Sequence, residues 1–168
     1  LRNYPISETA VQQKETDNHA DFADISRVPA SGRLLALDLG TKRIGVAITD
    51  KMRIVATPLD PILRTSWKKL LLSVRGLISD FDAKGLVIGL PFGFNGEETP
   101  MFHEARRLAR NFALSLEVPV FLQDERATSY EARGRLWQKG HDRRTTSNLV
   151  DSEAATIILS DFLGRINE

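Results

Sequence analysis

The chain has 168 residues, 42% of them hydrophobic and 27% charged, with a formal net charge of +1. That length suits one domain with a real core, and the near-neutral balance supplies no overall basicity to mark a nucleic-acid partner. With no cysteine, disulfides, thiolate zinc sites and cysteine nucleophiles are excluded, and no apolar run approaches a membrane span.

Residues 1–32 are polar, without sustained periodicity, and end in Pro29-Ala30-Ser31-Gly32. They are expected to be a disordered tail in front of one domain over residues 33–168. Arg2, Lys14 and Arg27 against Glu8, Glu15, Asp17, Asp21 and Asp24 put residues 1–30 at −2 and the remainder at +3. The tail is too acidic for an organelle transit peptide, and the lack of a secretory pattern points to the cytoplasm.

Regular patterning begins at Arg33. Leu34 to Asp38 and Ile44 to Thr49 read as strands joined by the tight connection Gly40-Thr41-Lys42-Arg43. Ile54 to Thr57 reads as a short third strand that ends near Pro58. Trp67, Leu70, Leu71, Val74, Leu77, Ile78 and Phe81 form one apolar helical stripe. Leu86 to Leu90 is a continuous apolar run suited to a strand covered on both faces. The loop Pro91 to Gly96 follows, with Asn95-Gly96 favouring a positive φ at its tip. It is either a mobile lip or an irregular strand-to-helix connection.

A second helix buries Phe102, Ala105, Leu108, Ala109, Phe112 and Leu116, and Val118 to Leu122 is a strand that delivers Asp124-Glu125. Thr128-x-x-Glu131 matches a capping box for a helix to about Lys139, closed by Gly140. A basic loop, His141 to Asn148, leads to a last helix with Ala154, Ala155, Ile158, Leu159 and Phe162 inward. The order β-β-β-α-β-α-β-α-α predicts an α/β fold. Its five-stranded mixed sheet has three antiparallel and two parallel strands, with helices on both faces. Ligands of such sheets gather at the carboxyl ends of the strands.

Acidic residues recur at those ends. Asp38 leaves an apolar strand into the hairpin, Asp124-Glu125 follow the last strand, and Asp151 heads the last helix. Each has a plain reading: Asp38 as a turn residue, Asp124-Glu125-Arg126 as a surface ion pair, Asp151 as a helix cap. Three elements each offering a carboxylate are also how a divalent-metal site is built. Asp151 precedes Ala154 and Ala155 by three and four residues, hence shares the face of the apolar stripe. Strand alternation lets only one of Asp124 and Glu125 share the direction of Asp38, and either is open.

The stretch Leu35 to Asp50, then Val87-Ile88-Gly89-Leu90-Pro91, then Asp124-Glu125-Arg126, then Val150-Asp151-Ser152-x-Ala154-Ala155 resembles the YqgF/RuvX family from about Arg33 to Leu163. The resemblance implies a ribonuclease H-like fold related to Holliday-junction resolvases. It also implies nuclease activity, either in maturation of the 16S ribosomal RNA precursor or on four-way DNA junctions. By motif, Asp38 would be the metal ligand of the first strand, Asp124 and Glu125 the second acidic position, and Asp151 the acid of the last helix. Two features depart from the family pattern: the N-terminal extension, and Ala127, where relatives carry a larger apolar residue.

All-oxygen ligands favour Mg²⁺ or Mn²⁺. In the sheet order that the resemblance implies, the first and fifth strands would stand about 10 Å apart, two strand spacings, so bound ions must bridge them and the longer reach of Glu125 gains weight. Lys42, Arg43 and Arg126 flank the acids, and Lys139, His141, Arg143 and Arg144 line the loop before Asp151. They are candidate phosphate contacts or a solvated basic loop. The expected partner is structured RNA or branched DNA, with pre-ribosomal particles as its setting. A monomer would suit RNA processing and a homodimer junction cleavage. Two rivals remain. Asp38-Leu39-Gly40-Thr41 also resembles the first phosphate loop of actin-like ATPases, but no second such loop follows. The other rival is a non-catalytic RNA- or ribosome-binding module.

Overall fold

The structure is a computed structural model that describes residues 22–125 and 146–168, with backbone alone over 146–151. The helix expected over 128–139, and with it Arg126, Lys139, His141, Arg143 and Arg144, lies outside the described residues. Five strands form one sheet: β1 (Arg33–Leu39), β2 (Arg43–Thr49), β3 (Ala56–Leu63), β4 (Ala83–Leu90) and β5 (Val120–Asp124), in the order β3-β2-β1-β4-β5. β1–β2 and β2–β3 are antiparallel, β1–β4 and β4–β5 parallel. The helices are α1 (Trp67–Phe81), α2 (Pro100–Ser115) and α3 (Thr146–Ile166). None of the described helices is long and apolar enough to cross a membrane.

Period-two alternation sorts the sheet into two cores. Leu35, Leu37, Ile44, Val46, Leu86 and Ile88 pack with Leu70 and Val74 of α1 and with Phe102, Ala105 and Phe112 of α2. Leu34, Ala36, Ala47, Val87 and Phe121 turn the other way, onto Ala155, Ile158, Leu159 and Phe162 of α3. β1 and β4 are covered on both faces, which is why they read as unbroken apolar runs.

The helices stop and start on local chemistry. Ser66 caps α1 by accepting from Lys69 N–H, and Asp82 ends it in the left-handed region at φ 51. Thr99 caps α2 by accepting from Phe102 N–H, with Pro100 in the first turn, where no N–H is needed.

The third strand and the N-terminal boundary differ most from the sequence reading. β3 runs through Pro58 and Pro61 instead of ending at Pro58, because it is an edge strand and a missing N–H costs nothing on the solvent side. Its register shifts between Ile44 and Val46 of β2, and Ser152 of α3 fills that irregularity. Its Oγ accepts from Val46 N–H at 3.5 Å and donates to the carbonyl of Leu59. Packing also reaches back at least to Phe22, ahead of the expected boundary at Arg33. Phe22 lies against one core, Ala23 and Val28 against the other, and Ala23 N–H donates to Val120 O at 2.9 Å.

The turn from β2 to β3 is held by one carboxylate. Asp50 accepts N–H groups from Met52 (3.0 Å), Ile54 (2.7 Å) and Val55 (2.8 Å). These hydrogen bonds, Val55's foremost, hold its pKa below the ordinary carboxylate value. A folded pKa below the unfolded one means that the stabilisation is complete above the unfolded value, near 3.9, and is lost as pH falls through the folded value. Asp50→Ala should therefore lower the Tm at neutral pH. The gap to the wild type should narrow as pH drops below about 4, which thermal melts across pH would read.

Candidate metal and nucleic-acid site

Because β1, β4 and β5 are parallel, their carboxyl ends share one edge of the sheet. The start of β2 and the end of β3 lie at the same edge. Asp38 is the penultimate residue of β1 and half-buried. Leu34 and Ala36 face α3, so alternation sends Asp38 to the same face.

Its neighbours on that face carry no side chain. Asp38 pairs with Gly45 of β2. On the other side it comes level with Gly89 of β4, one residue past the Leu37–Ile88 pair.

The ambiguity between Asp124 and Glu125 resolves at β5. Phe121 packs on Phe162 of α3, with ring centroids 5.4 Å apart, and the Gln123 side chain accepts from Arg165 of α3 at 2.7 Å. Two more residues along the same parity lies Glu125. Its N–H continues the ladder to Leu90 O at 3.3 Å, so the strand direction persists to it. Asp124, paired with Leu90, belongs to the opposite face.

Glu125 is 8% exposed, and its carboxylate lies over Gly89. A Cβ at Gly89 would meet Glu125 Oε1 at 2.3 Å and Ile158 Cδ1 at 2.5 Å. The strand between Asp38 and Glu125 is thus bare where the carboxylate crosses it. With neighbouring strands about 4.8 Å apart, Glu125 Oε1 comes within roughly 7–8 Å of the Asp38 Cβ. The reach of one long side chain thus narrows the expected gap of about 10 Å.

α3 crosses β1, β2 and β3 on this face. It begins at Thr146, so Asp151 is in its second turn and not at a capping position. Asp151 precedes Ala155 and Ile158, both buried against the sheet, by one and two turns, which places its position on the sheet-facing side of the helix. The next residue, Ser152, is pinned between β2 and β3 as described. The side chain of Asp151 is outside the described residues, and no group of three ligating side chains occurs among those described.

Gly40 and Arg64 shape the turn after Asp38. A Cβ at Gly40 would meet the Arg43 carbonyl oxygen at 2.4 Å, a backbone clash that only glycine avoids. Arg64 donates to Gly40 O at 3.0 Å and pairs with Glu104 of α2, and its own N–H bonds Lys42 O at 2.9 Å. Arg64 thereby lashes the hairpin to α2. Lys42 is exposed and Arg43 half-buried at this edge. A cavity of about 840 Å³ opens at the opposite edge, lined by Ile25, Val28, Met52, Arg53, Leu163 and Ile166 among others. Among the described residues, none of Asp38, Asp124 and Glu125 borders it.

Sequence reasoning missed Gly89 and Arg64. A signal for Gly89 existed: a glycine inside an apolar strand marks close approach by another group. Arg64 gave none, since its role depends on a carbonyl far away in the chain.

Comparison with known proteins agrees with this architecture. A relative from Cereibacter sphaeroides named "Putative pre-16S rRNA nuclease" is 36% identical over 143 residues, spanning 85% of this chain and 89% of its own length. One of the same name from Rhodopseudomonas palustris is 38% identical over 138 residues, spanning 82% and 86%. The solved structure of T. thermophilus RuvC in complex with Holliday junction substrate superposes with a TM-score of 0.50 at 17% identity. It covers 80% of this chain and 96% of its own. At that identity the likeness is one of fold, which is ribonuclease H-like. Residues 32–165 match the model of a family described as "RuvX: Holliday junction resolvase", and the chain is a member of that family.

Proposed function

We propose that this chain is a divalent-metal-dependent nuclease that hydrolyses phosphodiester bonds in structured nucleic acid, acting on the 5′ end of the 16S ribosomal RNA precursor. The observation that carries this reading is the shared face of Asp38 and Glu125 at one sheet edge, beneath the helix that bears Asp151. The name of the curated relatives supports the choice of substrate.

The donor set fits hard cations. It is all carboxylate, and the bare backbone at Gly89 leaves room for the Glu125 oxygens above the sheet. Asp38, Glu125 and Asp151 would hold Mg²⁺ or Mn²⁺. Bound there, such ions would supply an activated water and charge neutralisation at the leaving oxygen. The protein's own part is to fix the acids. Arg64 and Gly40 hold the turn beyond Asp38, Gly89 seats Glu125, and Ser152 anchors α3 next to Asp151. Asp124 faces the other core and takes no ligand role. Lys42 and Arg43, with Arg126, Arg143 and Arg144 of the adjoining segment, would meet backbone phosphates, which position the substrate without reading its sequence.

A second reading, cleavage of four-way DNA junctions, is favoured by the description of the family model. Paired incisions across a junction ask for a two-fold dimer, whereas RNA trimming is open to a monomer. One assay separates the readings. The full chain is incubated with a 16S precursor carrying its 5′ leader and, in parallel, with a synthetic four-way junction, each with Mg²⁺, Mn²⁺ or chelator. Metal-dependent removal of the leader, abolished by chelator, is expected. Cleavage of the junction alone would shift the substrate to DNA. Inertness toward both with every metal would leave a non-catalytic binding module.

A further inference from the structure

The loop between β4 and α2 leaves the sheet at the edge that carries the acids. Phe94 at its tip is 94% exposed, although a phenyl ring gains more than almost any side chain from burial. The loop is not loose. Gly93 N–H bonds Glu97 O at 2.8 Å, Gly96 N–H bonds Gly93 O at 2.9 Å, and Asn95 N–H bonds the Glu97 carboxylate at 2.8 Å. Gly96 takes φ +79, and Glu97 packs so close to Gly93 that a Cβ there would meet its Cδ at 2.3 Å. The root is fixed by Phe92, whose ring lies 4.5 Å from that of Phe102, and by Thr99 Oγ1 donating to Pro91 O at 3.4 Å. One aromatic is turned into the core so that a rigid tip holds the next one out in water.

We propose that Phe94 is a stacking platform for an unpaired nucleobase within about four nucleotides of the scissile phosphate, which makes the site selective for substrates with single-stranded nucleotides near the cut. The position relative to the scissile phosphate rests on the nuclease reading above; the stacking itself does not. Phe94 is four residues past Leu90, whose carbonyl accepts from Glu125 N–H. Four residues reach at most about 14 Å, which is about four nucleotides at roughly 3.4 Å each. Glu97 and Glu98 beside the tip disfavour a phosphate there but leave a neutral base face unopposed. Stacking on an aromatic ring is also tolerant of base identity. Phe94 is the only large hydrophobic of residues 91–99 that is exposed, so the loop offers no contiguous apolar patch of the kind a protein partner covers.

The test reads stacking without cleavage. A roughly 12-nucleotide RNA carrying 2-aminopurine is titrated with the full chain in chelator, as a single strand and annealed to its complement. The wild type and Phe94→Trp should change the fluorescence of the single strand. Phe94→Ala and Phe94→Leu should lose that change and bind the single strand about tenfold more weakly, with duplex binding and Tm unaltered. An unchanged single-strand signal in Phe94→Ala, or equal weakening on single strand and duplex, would overturn the proposal. A platform signal in a protein that cleaves nothing would sink the nuclease reading and leave the platform standing. Cleavage with the signal indifferent to residue 94 would do the reverse.

Discussion

Glu125→Gln and Asp38→Asn should each cut metal-dependent cleavage by roughly 10²–10³, while Asp124→Asn stays within about threefold of the wild type. The contrast follows from strand parity. Asp124 and Glu125 are adjacent carboxylates at the same end of β5, so charge content alone predicts equal losses. Only Glu125 lies on the face of Phe121, Gln123 and Ile158 with its carboxylate over Gly89. Both lossy substitutions are close to isosteric, so they remove a negative ligand without opening a cavity. Nucleic-acid binding should survive them, because phosphate contacts come from basic groups around the site. Single-turnover cleavage beside a binding titration reads both quantities. Equal loss from Asp124→Asn and Glu125→Gln would mean that β5 does not present its end as described.

Gly89→Ala should reduce cleavage by about a hundredfold, although the substitution adds only a methyl group. That methyl would stand 2.3 Å from Glu125 Oε1 and 2.5 Å from Ile158 Cδ1. Ile158 is 4% exposed in the core between sheet and α3 and has little room to yield. Overpacking of this kind costs about 1–3 kcal/mol, and the carboxylate is the group that can swing away. A ligand misplaced by about 1 Å is enough for a hundredfold loss. The variant should fold with a lowered Tm and show weaker Mn²⁺ binding by titration calorimetry. Wild-type metal affinity in a folded Gly89→Ala protein would show that Glu125 does not act from above that strand.

Much of this was legible in the sequence because it is local. The apolar run Leu34 to Leu37, the stripe from Trp67 to Phe81 and the inward set Ala155, Ile158, Leu159 and Phe162 each follow from one element's pattern, although Ala154, expected in that set, is only half-buried. What escaped depends on partners distant in the chain. Pro58 and Pro61 are tolerated only because β3 is an edge strand, which is a property of sheet order. The choice between Asp124 and Glu125 turns on where β5 stops. The apolar run Val118 to Leu122 suggested an end two residues too early, whereas pairing with Leu90 carries the strand to Asp124. Gly89 has no chemistry of its own; its value is the space it leaves to a residue on the next strand. The segment from Phe22 to Val28 looks like tail by composition, yet a few apolar side chains suffice to dock it on a surface the rest of the chain has built.

The central claim is that Asp38, Glu125 and Asp151 converge to bind hard cations. A crystal of the full chain grown with Mn²⁺ tests it most directly through the anomalous difference map. One or two peaks coordinated by those three carboxylates are predicted. Carboxylates of Asp38 and Asp151 more than about 8 Å apart, the span of two ions and their ligand bonds, with no peak between them, would contradict it.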